Sequence, residues 1–328
     1  MSVDGEITAF GTKAIIGWCR RMDGDDHAKV ALLVDGVEVN RTPALQIVRE
    51  GPMTGQAIGF RFGMTEVWEH LRKGQRIELH CNGHPLAYQG QTTHLVISDG
   101  ARISEPLLER IAAGLLINKF GKLRTPRNRN RKWGRKVFDL YNALNTSLAE
   151  TFGLPCYAIY GVCLGYARGQ GVIGDDVDLD LAYFSEHSDP RAVRDELARV
   201  MAHIVQHWPD ALPARAKIAF PGRNISLTPS WITDGVFHTT FAFVGGDARV
   251  TREDIVPLSQ QDWPTGGKVN FPANTQAVAR YLYGPGWQTP DPNWHWDREY
   301  RAHPLIARAK LSAKQLDQIR QWQATVPE

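Results

Sequence analysis

Cysteine is scarce. The four in 328 residues (Cys19, Cys81, Cys156, Cys163) form no CxxC pair and no His/Cys spacing of the zinc type. Neither a disulfide framework nor a structural zinc site is therefore expected. Long apolar runs are also missing: the longest candidate, Ile111–Ile117, is about a third of the roughly 20 residues that a membrane helix needs. Net charge is small, 38 Lys+Arg against 35 Asp+Glu, and 43% of the residues are hydrophobic. The low hydrophobicity and high charge of a disordered chain are thus both absent. Met1-Ser2-Val3-Asp4-Gly5 carries neither the basic region nor the apolar core of a signal peptide. These absences predict a soluble, reduced, cytoplasmic protein, and the length predicts two domains at roughly 100–200 residues each.

What is present is unevenly distributed. Lys119, Lys122, Arg124, Arg127, Arg129, Arg131, Lys132, Arg135 and Lys136 lie in one stretch without an acid, and removing these nine from the net +3 leaves the remainder at −6. Such a cluster suits nucleic acid, an anionic membrane surface or an anionic glycan, or is a solvated linker. Trp133 alone among its arginines is too little for a stacking platform on single strands, and no nucleic-acid motif accompanies it. Peripheral attraction to anionic lipid at the inner membrane face would contribute about 1 kcal/mol per basic residue near the surface.

Residues 1–98 read as a small β-sandwich of six to eight short strands. Ala14–Trp18 and Val30–Val34 are short apolar runs, Ile77–Cys81 alternates, and Asp35-Gly36 and Asn82-Gly83 are type I′ turn pairs. Residues 99–150 read as a helical, basic connecting segment. A first helix from near Ser104 uses Leu107, Leu108, Ile111, Ala112, Leu115 and Leu116; a second uses Val137, Leu140, Tyr141, Leu144 and Leu148. From 151 to 328, strands and helices mix. Cys156–Tyr160 and Val177–Phe184 read as strands around a short helix, Val162–Gly169. Asp189-Pro190 opens a helix, and Gly284-Pro285-Gly286 stops another. A last helix from Ser312 is expected to turn Leu316, Ile319 and Trp322 inward. The fold class expected is a multidomain chain, an all-β sandwich followed by an α/β or α+β domain with a mixed sheet.

The stretch that carries chemistry is Gly161 to Leu181. On a strand, Asp176, Asp178 and Asp180 would share one face, with Val177, Leu179 and Leu181 packed behind. Three carboxylates within roughly 7 Å repel one another unless a cation neutralises them, and hard oxygen ligands suit Mg²⁺ or Mn²⁺. Gly161 and Gly165 would let backbone approach a phosphate at a helix start. The plainer alternative is a solvated acidic edge strand.

This stretch resembles the signature of the LicD and fukutin-type phosphotransferases, members of the nucleotidyltransferase-fold superfamily. Gly161, Leu164, Gly165 and Arg168 fall on its first part, Ile173 on its Ile, and Asp176, Asp178 and Asp180 on acidic positions. A second block, Ile255-Val256-Pro257-Leu258, Val269–Asn274 and Tyr281–Trp287, is similar to the family's closing motif, so the resemblance covers roughly 150–295. Three positions depart from the pattern. Val162 replaces a Thr or Ser, Gly174-Asp175 replaces Pro-Trp, and Ser226 stands where the family often has a further Asp. With Ser226, the carboxylate count depends on Asp180. Residues 5–90 also resemble a β-sandwich module appended to bacterial polysaccharide-modifying enzymes, which implies an accessory role such as glycan docking.

The resemblance implies a Mg²⁺- or Mn²⁺-dependent transferase in polysaccharide or capsule biosynthesis. It would move choline phosphate or an alditol phosphate, such as glycerol or ribitol phosphate, from a CDP-linked donor to a sugar hydroxyl of a cell-surface glycan. Asp176, Asp178 and Asp180 would be the metal and catalytic residues, with Asp180 completing the metal site or acting as general base. Gly161, Gly165, Arg168 and Lys268 would meet phosphate, unless Arg168 only neutralises the acids and Lys268 is an ordinary loop residue. The acceptor could be lipid-linked. Two alternatives stand beside this: nucleotidyl transfer to a small molecule, and a glycan-binding protein whose catalytic domain is degenerate. Trp287, Trp294, Trp296 and Tyr300 are candidates for base or sugar stacking or for core packing; His295 and His303 have no assigned role.

Overall fold

A computed structural model describes residues 3–22, 27–49, 51–174, 176, 178–222, 224–240, 249–284, 286–290 and 304–325. The chain is a mixed α+β structure with several antiparallel sheets. It divides into two compact units, the first running to Pro126 and the second beginning at Arg127.

The first unit opens with strands β1 (Val3–Phe10), β2 (Ala14–Arg21), β3 (Lys29–Val34), β4 (Val37–Pro43), β5 (Gln46–Ile47), β6 (Ala57–Gly63), β7 (Arg76–Cys81), β8 (His84–Pro85) and β9 (Thr93–Leu95). One antiparallel sheet has the order β1-β2-β6-β5; the other has β4-β3-β7-β8, with β9 also on β7. Ile7, Ile15, Cys19, Phe60 and Phe62 of the first sheet share one buried cluster with Val30, Leu32, Ile77, Leu79 and Cys81 of the second. The turn pairs behave as their residue types demand. Asp35-Gly36 has φ 49° and 77°, and Asn82-Gly83 has 48° and 86°, the positive values a type I′ hairpin requires.

The expected connecting segment, 99–150, is shared between the two units. Helix α1 (Leu107–Ala112) and the strand pair β10 (Leu116–Ile117) and β11 (Leu123–Arg124) bury Leu107, Ile117 and Leu123 in the first core. The helix expected to reach Leu116 ends at Ala112, because Gly114 adopts φ 86° and turns the chain back. Helix α2 (Arg131–Phe152) belongs to the second core through Val137, Leu140, Tyr141, Leu144 and Leu148. Its start is capped by Asn130, which accepts from the Trp133 N–H at 3.0 Å, and Gly153 ends it at φ 70°.

In the second unit, β12 (Cys156–Ile159), α3 (Tyr160–Ala167), β13 (Leu179–Phe184), α4 (Pro190–His207), β14 (Leu212–Pro213), β15 (Ile218–Phe220), β16 (Ile225–Thr233) and β17 (Val236–Thr239) follow in turn. The sheet order is β12-β13-β16-β15-β14, with β17 also on β16; β13 and β16 run parallel and every other pair is antiparallel. Asp189 caps α4 ahead of Pro190, as the sequence predicts. Short α5 (Arg252–Ile255), the hairpin β18 (Ser259–Asp262) and β19 (Lys268–Phe271), then α6 (Thr275–Tyr283), α7 (Pro304–Ala309) and α8 (Ala313–Ala324) complete it. Leu316 and Ile319 of α8 are buried, but Trp322 is 41% exposed. Six residues at 100° each put Trp322 about 120° around the helix from Leu316, off the buried stripe. Among the described residues, no helix is long and apolar enough to cross a membrane.

Candidate functional site

β12 is fully buried along its length, so the chain leaves it from inside the core. Tyr160 makes the turn into α3 at φ 55°, a region costly for a bulky side chain. Its hydroxyl is held by that of Thr239 on β17. Gly161 is the second residue of α3, where backbone N–H groups have no acceptor within the helix. A Cβ on Gly161 would lie 2.2 Å from Asp176 Oδ2, so the Asp176 carboxylate occupies that space over the start of the helix. An anion is favoured there by the helix dipole.

Gly165 serves the same loop. Its missing Cβ would meet the Gly171 carbonyl oxygen at 2.1 Å and Ile173 Cγ1 at 2.9 Å. The Gln170 N–H donates to the Gly165 carbonyl at 2.9 Å, and Gly169 and Gly171 (φ 71° and 67°) bring the loop back along the helix. From the other side, the Arg127 N–H donates to the Gly174 carbonyl at 2.8 Å and Arg127 Nε to the Asp176 carbonyl at 3.2 Å. The Arg127 guanidinium also lies 4.9 Å from the Trp133 ring centroid. The two glycines thus pin the loop that delivers Asp176, and the spaces they leave are filled from within the chain.

The alternating strand face expected for Asp176, Asp178 and Asp180 is not how the acids are arranged. The strand begins at Leu179, so only Asp180 lies in it. Asp178 is half-buried just ahead of the strand, and residues 175 and 177 lie outside the described residues. Asp180 pairs in register with Ile159 on β12 and with Ser226 on the parallel strand β16. Ser226 Oγ donates to Asp180 Oδ1, and Lys217 Nζ donates to Ser226 Oγ at 3.4 Å. Asp176 and Asp180 nevertheless both act electrostatically on Tyr283, at the end of α6. Burial first, then the Asp176 and Asp180 carboxylates, hold its phenol well above the ordinary tyrosine range.

The other expected residues have different partners. Arg168 donates from Nε at 2.7 Å, and again from Nη2, to the Trp287 carbonyl, fixing the chain beyond α6. Trp287 itself is buried with Leu164, Ala167 and Ala279, a core role; Trp294, His295, Trp296, Tyr300 and His303 lie outside the described residues. Lys268 is exposed on β19 and pairs with Asp262 at 3.4 Å. Of the basic stretch, Arg124 pairs with Glu66 at 3.3 Å and Lys136 donates to the Gly222 carbonyl at 2.7 Å, while Arg129, Arg131, Lys132 and Arg135 are exposed. Tyr160, Lys217 and Tyr283 were not singled out as site residues by the sequence, and Arg127 only as one member of the basic stretch; Tyr283 carried a signal in its place in the closing block.

Among the described residues, no group of three or more His, Cys, Asp and Glu side chains is arranged to hold a metal ion. The acidic pair Asp176 and Asp180 with the Ser226 hydroxyl is a set of hard oxygen donors. Such a set fits Mg²⁺, which typically takes one or two carboxylates and completes its shell with substrate phosphates. Neither a family model nor a curated protein matches this chain.

Proposed function

We propose that this chain is a metal-dependent phosphotransferase of the LicD/fukutin type, with its catalytic centre at Asp176, Asp180 and the start of α3. The observation that carries the reading is the Asp176 carboxylate placed over the start of α3, with Asp180, four residues further along the chain, held by Ser226. A carboxylate at a helix start beside a second acid is the setting in which a hard cation and substrate phosphates bind. The donor would be a CDP-linked choline or alditol phosphate, and the acceptor a sugar hydroxyl of a glycan, lipid-linked or free. The first unit would be a β-sandwich accessory module, and the second a nucleotidyltransferase-like domain.

In this reading Asp176 and Asp180 would hold Mg²⁺ or Mn²⁺, with Asp178 as the third expected ligand. The cation supplies neutralisation of charge on the diphosphate and on the leaving CMP. What the chain itself contributes is positioning. Arg127, Gly165 and the 168–174 loop hold Asp176 over α3; Ser226 orients Asp180; Arg168 fixes the turn at Trp287. Phosphoryl transfer depends chiefly on such placement and on charge neutralisation. The exposed arginines and lysine at the start of α2 would attract an anionic lipid surface.

A second reading, a glycan-binding protein with a degenerate centre, draws on two observations. Ser226 occupies the register partner of Asp180, where a further carboxylate would otherwise stand. The first unit has a depression of about 500 Å³ lined by Thr8, Phe10, Lys13, Ile16 and Tyr88, with Phe10 and Tyr88 stacked at 5.9 Å. Titration of CDP by calorimetry, with and without Mg²⁺, on wild type, Asp176→Asn and Asp180→Asn separates the two. Metal-dependent binding lost in both variants is expected. Binding that ignores Mg²⁺ and both substitutions refutes the catalytic reading. CMP release from a CDP donor, rather than pyrophosphate from a triphosphate, excludes nucleotidyl transfer.

A further inference from the structure

The four cysteines make no framework, yet one pair meets. Cys19 lies on β2 and Cys81 on β7, strands of different sheets, and both side chains are fully buried in the core those sheets share. Their sulfurs are 2.6 Å apart, within about 0.6 Å of the covalent S–S length of about 2.05 Å. Alternation fixes this meeting. Ile77, Leu79 and Cys81 point inward from β7, and Ile15 and Cys19 do so from β2. Neither strand can turn its cysteine away without exposing its other buried residues.

We propose that Cys19 and Cys81 form a disulfide joining the two sheets of the first unit when the chain folds in the presence of a low-molecular-weight disulfide such as glutathione disulfide, which reaches the thiols before the core closes over them. One cysteine thiolate attacks the small disulfide, giving a mixed disulfide and releasing one small thiol. The second cysteine then attacks the protein sulfur and expels the other small thiol. Two electrons and two protons leave the pair, and one disulfide is reduced to two thiols. Cys156 and Cys163 differ: burial pushes each up to about 12, which keeps them as thiols. The bond would close a loop across a sequence separation of 62 residues, and the constraint on the unfolded chain grows with loop length. This inference concerns the first unit and stands independently of the phosphotransferase reading.

The test uses the full chain, folded in glutathione buffer either reducing or oxidising, then denatured and alkylated for peptide mapping. Expected is a cross-linked Cys19–Cys81 peptide after oxidising treatment, two remaining alkylatable thiols, and a thermal midpoint for the first unit higher by about 10–15 °C. Cys81→Ala should abolish that shift, and the wild-type mapping decides the matter if that variant does not fold. Four alkylatable thiols after oxidising treatment, or a bond between any other pair, overturns the proposal.

Discussion

Replacing Gly161 with alanine tests the placement of Asp176 directly. If the space beside Gly161 were open, alanine would stabilise α3 by about 0.5–1 kcal/mol, because glycine loses more backbone freedom on folding. The Cβ would instead lie 2.2 Å from Asp176 Oδ2 and 2.9 Å from its Cγ, so the carboxylate must move by about 1 Å or more. Overpacking of this kind costs about 1–3 kcal/mol. The net is a loss between roughly 0 and 2.5 kcal/mol, a fall in midpoint of about 0–10 °C for a unit of this size. Binding should respond far more than stability, since the displaced group is a proposed metal ligand. Gly165→Ala gives the contrast. Its Cβ would meet backbone, the Gly171 carbonyl at 2.1 Å, which cannot rotate away, so destabilisation should sit near 3 kcal/mol. Thermal scanning paired with calorimetric titration of CDP in Mg²⁺ reads both quantities. A Gly161→Ala chain that gains the helix-propensity increment and binds CDP as wild type does would refute the geometry.

Two further predictions concern a buried and a half-buried titratable group of the second unit. Glu196 is buried with Oε1 lacking a hydrogen-bond partner, as does the Tyr183 hydroxyl, and burial holds its carboxyl above the usual range. Its stabilising contribution is therefore present below the unfolded carboxylate value and is lost as pH rises through the folded one. Glu196→Gln should stabilise the fold more at pH 7 than near pH 4 in urea unfolding, less whatever the 3.7 Å contact with His187 contributes. His203, bonded to Ser147 at 2.8 Å, is held below the ordinary imidazole value by burial and then by His207. The unfolded chain takes up that proton first, so stability is full above about pH 6.5 and falls as pH drops through the window beneath it. His203→Gln should flatten the decline in thermal midpoint between pH 7 and pH 5; an unchanged slope would count against it.

Local chemistry made much of the fold legible. Turn pairs such as Asp35-Gly36, the Asp189-Pro190 helix start, the buried stripe of α2 and the Ser312 cap are each written in a few adjacent residues. What stayed hidden depends on contacts far apart in sequence. Nothing around Arg127 announces that it will hold a loop 49 residues away, and nothing near Lys217 announces Ser226 and Asp180. The acidic triplet shows the limit most sharply. Period-two spacing implied one strand face, but the strand starts at Leu179. Asp176 reaches its place because Gly165 admits the Gly171 carbonyl and Gly161 leaves room for a carboxylate.

The departures from the LicD/fukutin pattern are not equal in weight. Val162 is 1% exposed and belongs to the main core of the second unit, so the hydroxyl it lacks would face packed side chains at this position rather than a phosphate. Ser226 is different. It sits in register with Asp180 on a parallel neighbour, and its hydroxyl donates to the Asp180 carboxylate. A carboxylate at that position would repel Asp180 in the absence of a cation, whereas the serine holds it by a hydrogen bond. A serine here therefore leaves less charge for a cation than an aspartate would, and steadies the acid beside it. If the centre is catalytic, its affinity for metal must come more from substrate phosphates than from the protein, so nucleotide and Mg²⁺ should bind together far more tightly than either does alone.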